Sequence, residues 1–138
     1  MKKKESEFLT HEEIEALLKM PDRRTLEGKR DYALLLTMLT TGLRKAELCI
    51  LKGTDIKTYR NRLVIDITGK GQRHRRIGLK NDVYGAIAAY TKASGNGSPD
   101  HSIFYTLGKH GLCKRQPLTH KAVDCMIKKY SKKALIRK

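Results

Sequence analysis

The stretch of this chain best suited to chemistry is Thr40-Thr41-Gly42-Leu43-Arg44-Lys45-Ala46-Glu47-Leu48. The spacing predicts that Arg44 falls in the first turn of a short helix, where unpaired amides and the helix dipole already attract anions. A guanidinium there adds a planar fork that matches two phosphate oxygens. Glu47 follows three residues later on the same face, beside Leu48 and Leu51, so it is expected to be half-buried. A half-buried carboxylate needs a partner, and holding the guanidinium in place is a suitable role. The competing reading is a surface arginine in an intrahelical ion pair, which contributes little. A second candidate is Gly69-Lys70-Gly71, where Lys70 can stand away from the sheet because the flanking backbone turns freely. Arg73, His74, Arg75 and Arg76 come next, four consecutive basic or titratable side chains. A protruding basic hairpin can enter a DNA groove while its arginines hold phosphates. The rival reading is a solvated turn whose charges discourage edge pairing.

Several elements must position these groups. Thr10-His11-Glu12-Glu13 reads as a capping box, opening a helix with Ile14, Leu17 and Leu18 on one stripe that stops before Pro21. A second helix is expected from about Leu26 to Thr40, apolar at almost every position from Tyr32 to Leu39 and therefore central. Thr41-Gly42 breaks it. The third helix then runs from near Leu43 to about Leu51, with Gly53 closing it. At Leu63 the period changes to two: Leu63, Ile65 and Ile67 alternate with Val64, Asp66 and Thr68. Arg73 to Leu79 returns as the partner strand of a β-hairpin with Lys70 at its tip. Asp82 to Ala93 is helical with Val83, Ile87 and Tyr90 inward, and Ile103-Phe104-Tyr105 is expected to add a third short strand. Thr119 caps a last helix that turns Val123, Met126, Ile127 and Tyr130 inward. The fold class is therefore mainly α with a small antiparallel β-sheet (α+β).

The 138 residues carry 30 Lys+Arg against 14 Asp+Glu, a formal net charge of +16, and 39% apolar residues suffice for a core. Residues 1–31 hold eight bases and eight acids, so the whole excess lies in residues 32–138. Such asymmetry implies a polyanionic partner. An anionic membrane face is the poorer fit, because there is no Trp and the two Phe lie far apart. No apolar run approaches the ~18–20 residues that cross a bilayer. Three cysteines (Cys49, Cys113, Cys125) without framework spacing suit a reducing cytosol, and Cys49 and Cys125 are expected to be core thiols. His110, Cys113, His120 and Cys125 fit no common zinc spacing, and there is no Walker A loop, Gly-x-Ser-x-Gly or carboxylate cluster. Double-stranded DNA is the expected partner, with structured RNA the rival, and the expected location is cytoplasmic, nucleoid-associated when bound to DNA.

Taken in order, these segments resemble the catalytic domain of the tyrosine recombinases, or phage integrases. Phe8-Leu9-Thr10-x2-Glu13-Ile14-x2-Leu17-Leu18 looks like its opening, and Thr41-Gly42-Leu43-Arg44-x2-Glu47-Leu48 like its first arginine box. Asp55-Ile56 and then Ile67-x-Gly69-Lys70-Gly71, with Arg75 and Leu79 after it, look like its hairpin-lysine segment. Leu118-Thr119 through Lys132-Lys133-Ala134 resembles the helix before its second box. The resemblance implies that Arg44 is a catalytic arginine, Glu47 its supporting acid and Lys70 a mobile catalytic lysine. Lys45, Arg73, His74, Arg75 and Arg76 are the expected DNA-binding residues. The family cuts and rejoins DNA through a 3′-phosphotyrosyl intermediate, with neither metal nor nucleotide cofactor, and a multimer on DNA is expected for the intact protein. None of the five histidines is followed three residues later by an arginine, so the His-x-x-Arg box is not found here. The nucleophilic tyrosine is not found either, because Tyr130 falls on an apolar stripe and reads as core. Residues 1–138 are thus expected to form a single partial catalytic domain, flexible over 1–7, that binds DNA without cutting it. The alternative is a non-catalytic basic DNA-binding module of the same fold.

Overall fold

Ala33-Leu34-Leu35-Leu36-Thr37 is buried at every position, which a helix achieves only when other elements surround it. This segment is the middle of α2 (Leu26–Thr41), the central element in a computed structural model that describes residues 10–68, 74–95, 102–107 and 113–134. The expected flexibility of residues 1–7 falls outside that range. Before α2 comes α1 (His11–Leu18), and after it α3 (Lys45–Ile50) and a 3-10 turn (Gly53–Asp55). Strands β1 (Ile56–Tyr59), β2 (Arg62–Thr68) and β3 (His74–Gly78) follow, then α4 (Asn81–Ser94), β4 (Tyr105–Leu107), β5 (Cys113–Pro117) and α5 (His120–Lys133). The protein is mostly helical with a small three-stranded antiparallel sheet, order β1-β2-β3, and a separate β4-β5 pair.

Local chemistry sets the helix ends. Thr10 and Glu13 form the expected capping box: the Glu13 amide donates to Thr10 Oγ1 (3.1 Å) and the Thr10 amide to Glu13 Oε1 (2.8 Å). Thr25 caps α2 by accepting the Gly28 amide at 2.9 Å. Gly28 has no alternative there, since a Cβ would stand 1.7 Å from the Asp22 carbonyl oxygen. At the far end Gly42 adopts φ 73°, the left-handed C-cap that ends α2 and redirects the chain. Thr119 caps α5 by accepting the Ala122 amide at 3.1 Å.

The core joins α2, α4, α5 and the inner face of the three-stranded sheet. Val83, Ile87 and Tyr90 of α4 are buried as expected, and Tyr90 stacks on Phe104 with ring centroids 6.2 Å apart. Val123, Met126 and Tyr130 of α5 are buried, with Ile127 packed partly against them. A buried polar knot ties three elements together. Arg30 donates to Asp31 Oδ1 through Nε (3.0 Å) and Nη2 (2.8 Å), and to the Tyr105 carbonyl through Nη1 (2.9 Å). The Tyr130 hydroxyl donates to Asp31 Oδ2 at 2.5 Å. Burial, followed by that hydrogen bond and the Asp31 charge, pushes the Tyr130 phenol far above its usual range.

The structure departs from the sequence expectations at five places. Helix α3 begins at Lys45 rather than Leu43, because Leu43 is buried as an anchor and the capping carboxylate of Glu47 reaches the Arg44 amide. It ends at Ile50, and Gly53 opens the 3-10 turn instead of closing the helix. Strand β1 joins the hairpin through a tight turn whose two central residues, Arg60 (φ 51°) and Asn61 (φ 66°), are both left-handed. The strand expected at 103–105 is shifted to Tyr105–Leu107 and pairs with β5 rather than with the hairpin. Cys125 is exposed, not a core thiol, while Cys49 is buried. At ~100° per residue Cys125 lies two steps round α5 from Val123, on the outer side.

Candidate functional site

Arg44 is the N-cap residue of α3, immediately after the turn made by Gly42 and the buried Leu43. Thr41 braces that turn, its Oγ1 donating to the Thr37 carbonyl (2.6 Å) and accepting the Leu43 amide (3.3 Å). The Arg44 side chain is 80% exposed, with Nη1 3.8 Å from Glu47 Oε2. Glu47 is only 12% exposed and serves three groups. Its Oε1 accepts the Arg44 amide at 2.9 Å, and its Oε2 accepts Arg75 Nη1 at 2.7 Å while facing the Arg44 guanidinium. The carboxylate is enclosed, as its neighbours Leu48 and Leu51 suggest, but its tightest partner is Arg75 and not Arg44.

Strand parity explains the pairing. Arg75 stands opposite Ile67, and Ile77 opposite Ile65, so these residues share the inner face of the hairpin. Arg75 is 39% exposed at the end of that face and reaches across to α3. His74 and Arg76 point the other way. Arg76 grips Asp66 through Nε (2.7 Å) and Nη2 (3.3 Å), and its guanidinium lies 4.0 Å from the Tyr59 ring centroid. His74 Nε2 is 3.5 Å and Lys57 Nζ 3.8 Å from the same carboxylate. The Arg76 hydrogen bonds, helped by the charges of Arg76, His74 and Lys57, hold the Asp66 carboxyl below its usual range. The basic run after the turn therefore divides between two faces.

Among the other expected site residues, Lys45 reaches Asp124 of α5 at 2.5 Å and ties α3 to that helix. Lys70 and Arg73 lie outside the described residues. Among the described residues no three His, Cys, Asp or Glu side chains group to hold a metal, and no helix is long and apolar enough to cross a membrane. Sequence reasoning grouped Arg75 with the DNA contacts; its parity with Ile77 and Leu79 was the signal that it faces inward. The Arg30–Asp31–Tyr130 knot was missed, and nothing in local spacing announces a partner 99 residues away.

An exposed guanidinium beside an enclosed carboxylate, itself bonded to a second guanidinium, leaves a net positive cluster suited to a phosphate group. Known proteins of this kind are similar along most of the chain. Residues 7–138 match the phage integrase family. Tyrosine recombinase XerC of Bacillus pumilus is 30% identical over 134 residues, 92% of this chain and 41% of that protein. Tyrosine recombinase XerA of Pyrococcus horikoshii is 30% identical over 125 residues, 91% of this chain and 40% of that protein. The chain thus spans about two fifths of the length of these relatives. Two solved structures share the fold. The XerA recombinase matches with a TM-score of 0.73 at 22% identity, over 95% of this chain and 44% of that one. The XerH recombinase bound to palindromic difH substrate matches with a TM-score of 0.74 at 23% identity, over 98% and 38%. Most of the chain is thus matched in sequence and in fold, and the chain belongs to the phage integrase family, the tyrosine recombinases.

Proposed function

We propose that this chain is the part of a recombinase catalytic domain that grips the scissile phosphate of duplex DNA. The observation that carries the reading is Arg44, exposed at the entry to α3 with its amide on one oxygen of Glu47 and its guanidinium 3.8 Å from the other. As a tyrosine hydroxyl attacks a phosphodiester, charge grows on the non-bridging oxygens, and a preorganised guanidinium stabilises it. Lys70 is the proposed donor of the proton that the departing 5′-oxygen takes up. The phosphotyrosyl bond conserves the energy for rejoining, so neither metal nor nucleotide is required. Lys45, Arg73, His74 and Arg76 supply phosphate contacts around the site, and the intact protein assembles as a multimer on DNA.

We further propose that the 138-residue chain binds DNA without cutting it. Tyr130 is engaged by Asp31 inside the core, and its raised phenol makes it a poor nucleophile. The relatives' DNA complexes, XerH on difH among them, support the partner. The test combines a labelled random duplex and a nicked suicide substrate. Affinity is expected to fall steeply as salt rises from about 50 to 200 mM, with no covalent adduct on a denaturing gel. Salt-insensitive binding, or an adduct that vanishes in Tyr130→Phe, overturns the reading.

A further inference from the structure

Arg75 and Arg44 share one carboxylate, and they share it unequally. Glu47 Oε2 takes a hydrogen bond from Arg75 at 2.7 Å, while the Arg44 guanidinium stands back at 3.8 Å and remains 80% exposed. A carboxylate with only one guanidinium in reach pairs with it directly, since the charge-assisted bond is stronger than water contact in a half-enclosed place. We infer that Arg75 is a positioning residue: by occupying Glu47 it keeps the Arg44 guanidinium free to take a phosphate, and it is not itself a DNA contact. This inference rests on the reading of Arg44 as the phosphate-binding group.

Three features support it. Arg75 sits on the inner face of the hairpin opposite Ile67, whereas His74 and Arg76 occupy the outer face. Glu47 is 12% exposed, so its charge needs a partner that does not leave when DNA arrives. The amide of Arg44 is already on Oε1, which fixes the carboxylate plane and presents Oε2 to both guanidinium groups. Loss of Arg75 would let the Arg44 side chain fold back onto Glu47. The residue then loses the exposed orientation that anion capture needs.

A double-mutant cycle on the whole chain tests this, with duplex DNA as the probe. Arg75→Ala is expected to weaken binding roughly 3- to 10-fold when Arg44 is present and less than about 2-fold in an Arg44→Ala background. Arg75→Lys, which keeps a charge within reach of Glu47, should restore much of the loss. In parallel, NMR of arginine Nε–H groups reads the site without DNA. Rotation of the Arg44 guanidinium about its Nε–Cζ bond should slow in Arg75→Ala as it pairs with Glu47, and return to fast in Arg75→Lys. Equal losses in both backgrounds would make Arg75 a direct DNA contact and overturn the inference, as would unchanged Arg44 dynamics in a folded Arg75→Ala protein. If Arg44→Ala itself leaves DNA affinity unchanged, the phosphate-binding reading fails, while the NMR result still decides whether Arg75 positions Arg44.

Discussion

At the scale of single residues, Glu47 and Tyr130 carry charges and hydrogen bonds whose removal has predictable consequences. Glu47→Gln keeps an oxygen for the Arg44 amide but removes the charge facing Arg44 and Arg75, whereas Glu47→Ala removes both. Urea titration should show Glu47→Ala destabilised by about 1.5–3 kcal/mol, the range for hydrogen bonds to charged groups, with Glu47→Gln retaining part of it. Tyr130→Phe removes the hydroxyl that donates to Asp31 Oδ2 in a buried setting, and should likewise cost about 1.5–3 kcal/mol without unfolding the protein. The phenol also sets a pH dependence. Its folded value is raised above the unfolded value of about 10, so its contribution is complete below that pH and fades as pH rises beyond it. Wild-type stability should therefore drop more steeply than that of Tyr130→Phe above pH ~10. Arg44 and Glu47 could be read directly from their three-residue spacing on a helix. Arg75 could not be matched to Glu47, because the two meet across 28 residues through tertiary structure.

At the scale of elements, two turns are under constraints that substitutions expose. Gly28 lies where a Cβ would overlap the Asp22 carbonyl oxygen, so Gly28→Ala must push α2 and the loop before it apart. Thermal unfolding should report a loss of roughly 3 kcal/mol, the upper end for overpacking. The Arg60–Asn61 turn requires left-handed backbone at both positions, and arginine suits it badly. Replacing the pair with Asn-Gly should stabilise the β1–β2 hairpin by about 1 kcal/mol, offset in part by losing the Arg60 contact over the Tyr59 ring. These elements differ in how far local sequence revealed them. Capping residues and apolar spacing disclosed α1, α2, α4 and α5, since each signal is made within a few residues. Strand β1 was missed because three of its four residues are exposed and its turn lacks glycine. Strand β5 was missed because Cys113-Lys-Arg-Gln-Pro117 has no alternation and ends in a residue that usually stops a strand.

At the scale of the whole molecule, a +16 charge concentrated after residue 31 meets a fold that sets an exposed arginine beside an enclosed acid. The basic residues do not act alike. Lys45 faces Asp124, Arg76 grips Asp66 and Arg75 holds Glu47, while the Arg44 guanidinium stands 3.8 Å from its acid and is left largely open to solvent. Diffuse charge accounts for attraction to any polyanion, whereas the proposed phosphate grip rests on the arrangement at Arg44. The family's fold was legible in the sequence because the arginine box and the lysine hairpin occur in series. The division of the hairpin's bases between two faces was written in the strand's period of two, and the observed pairing made it plain. The central claim is that Arg44 takes a DNA phosphate, and the dependence of affinity on salt tests it most directly. Plotting log K against log salt for the wild type and Arg44→Ala should give a shallower line for the variant, with the slope reduced by about 1 as one phosphate contact is lost. Two coincident lines would contradict the claim.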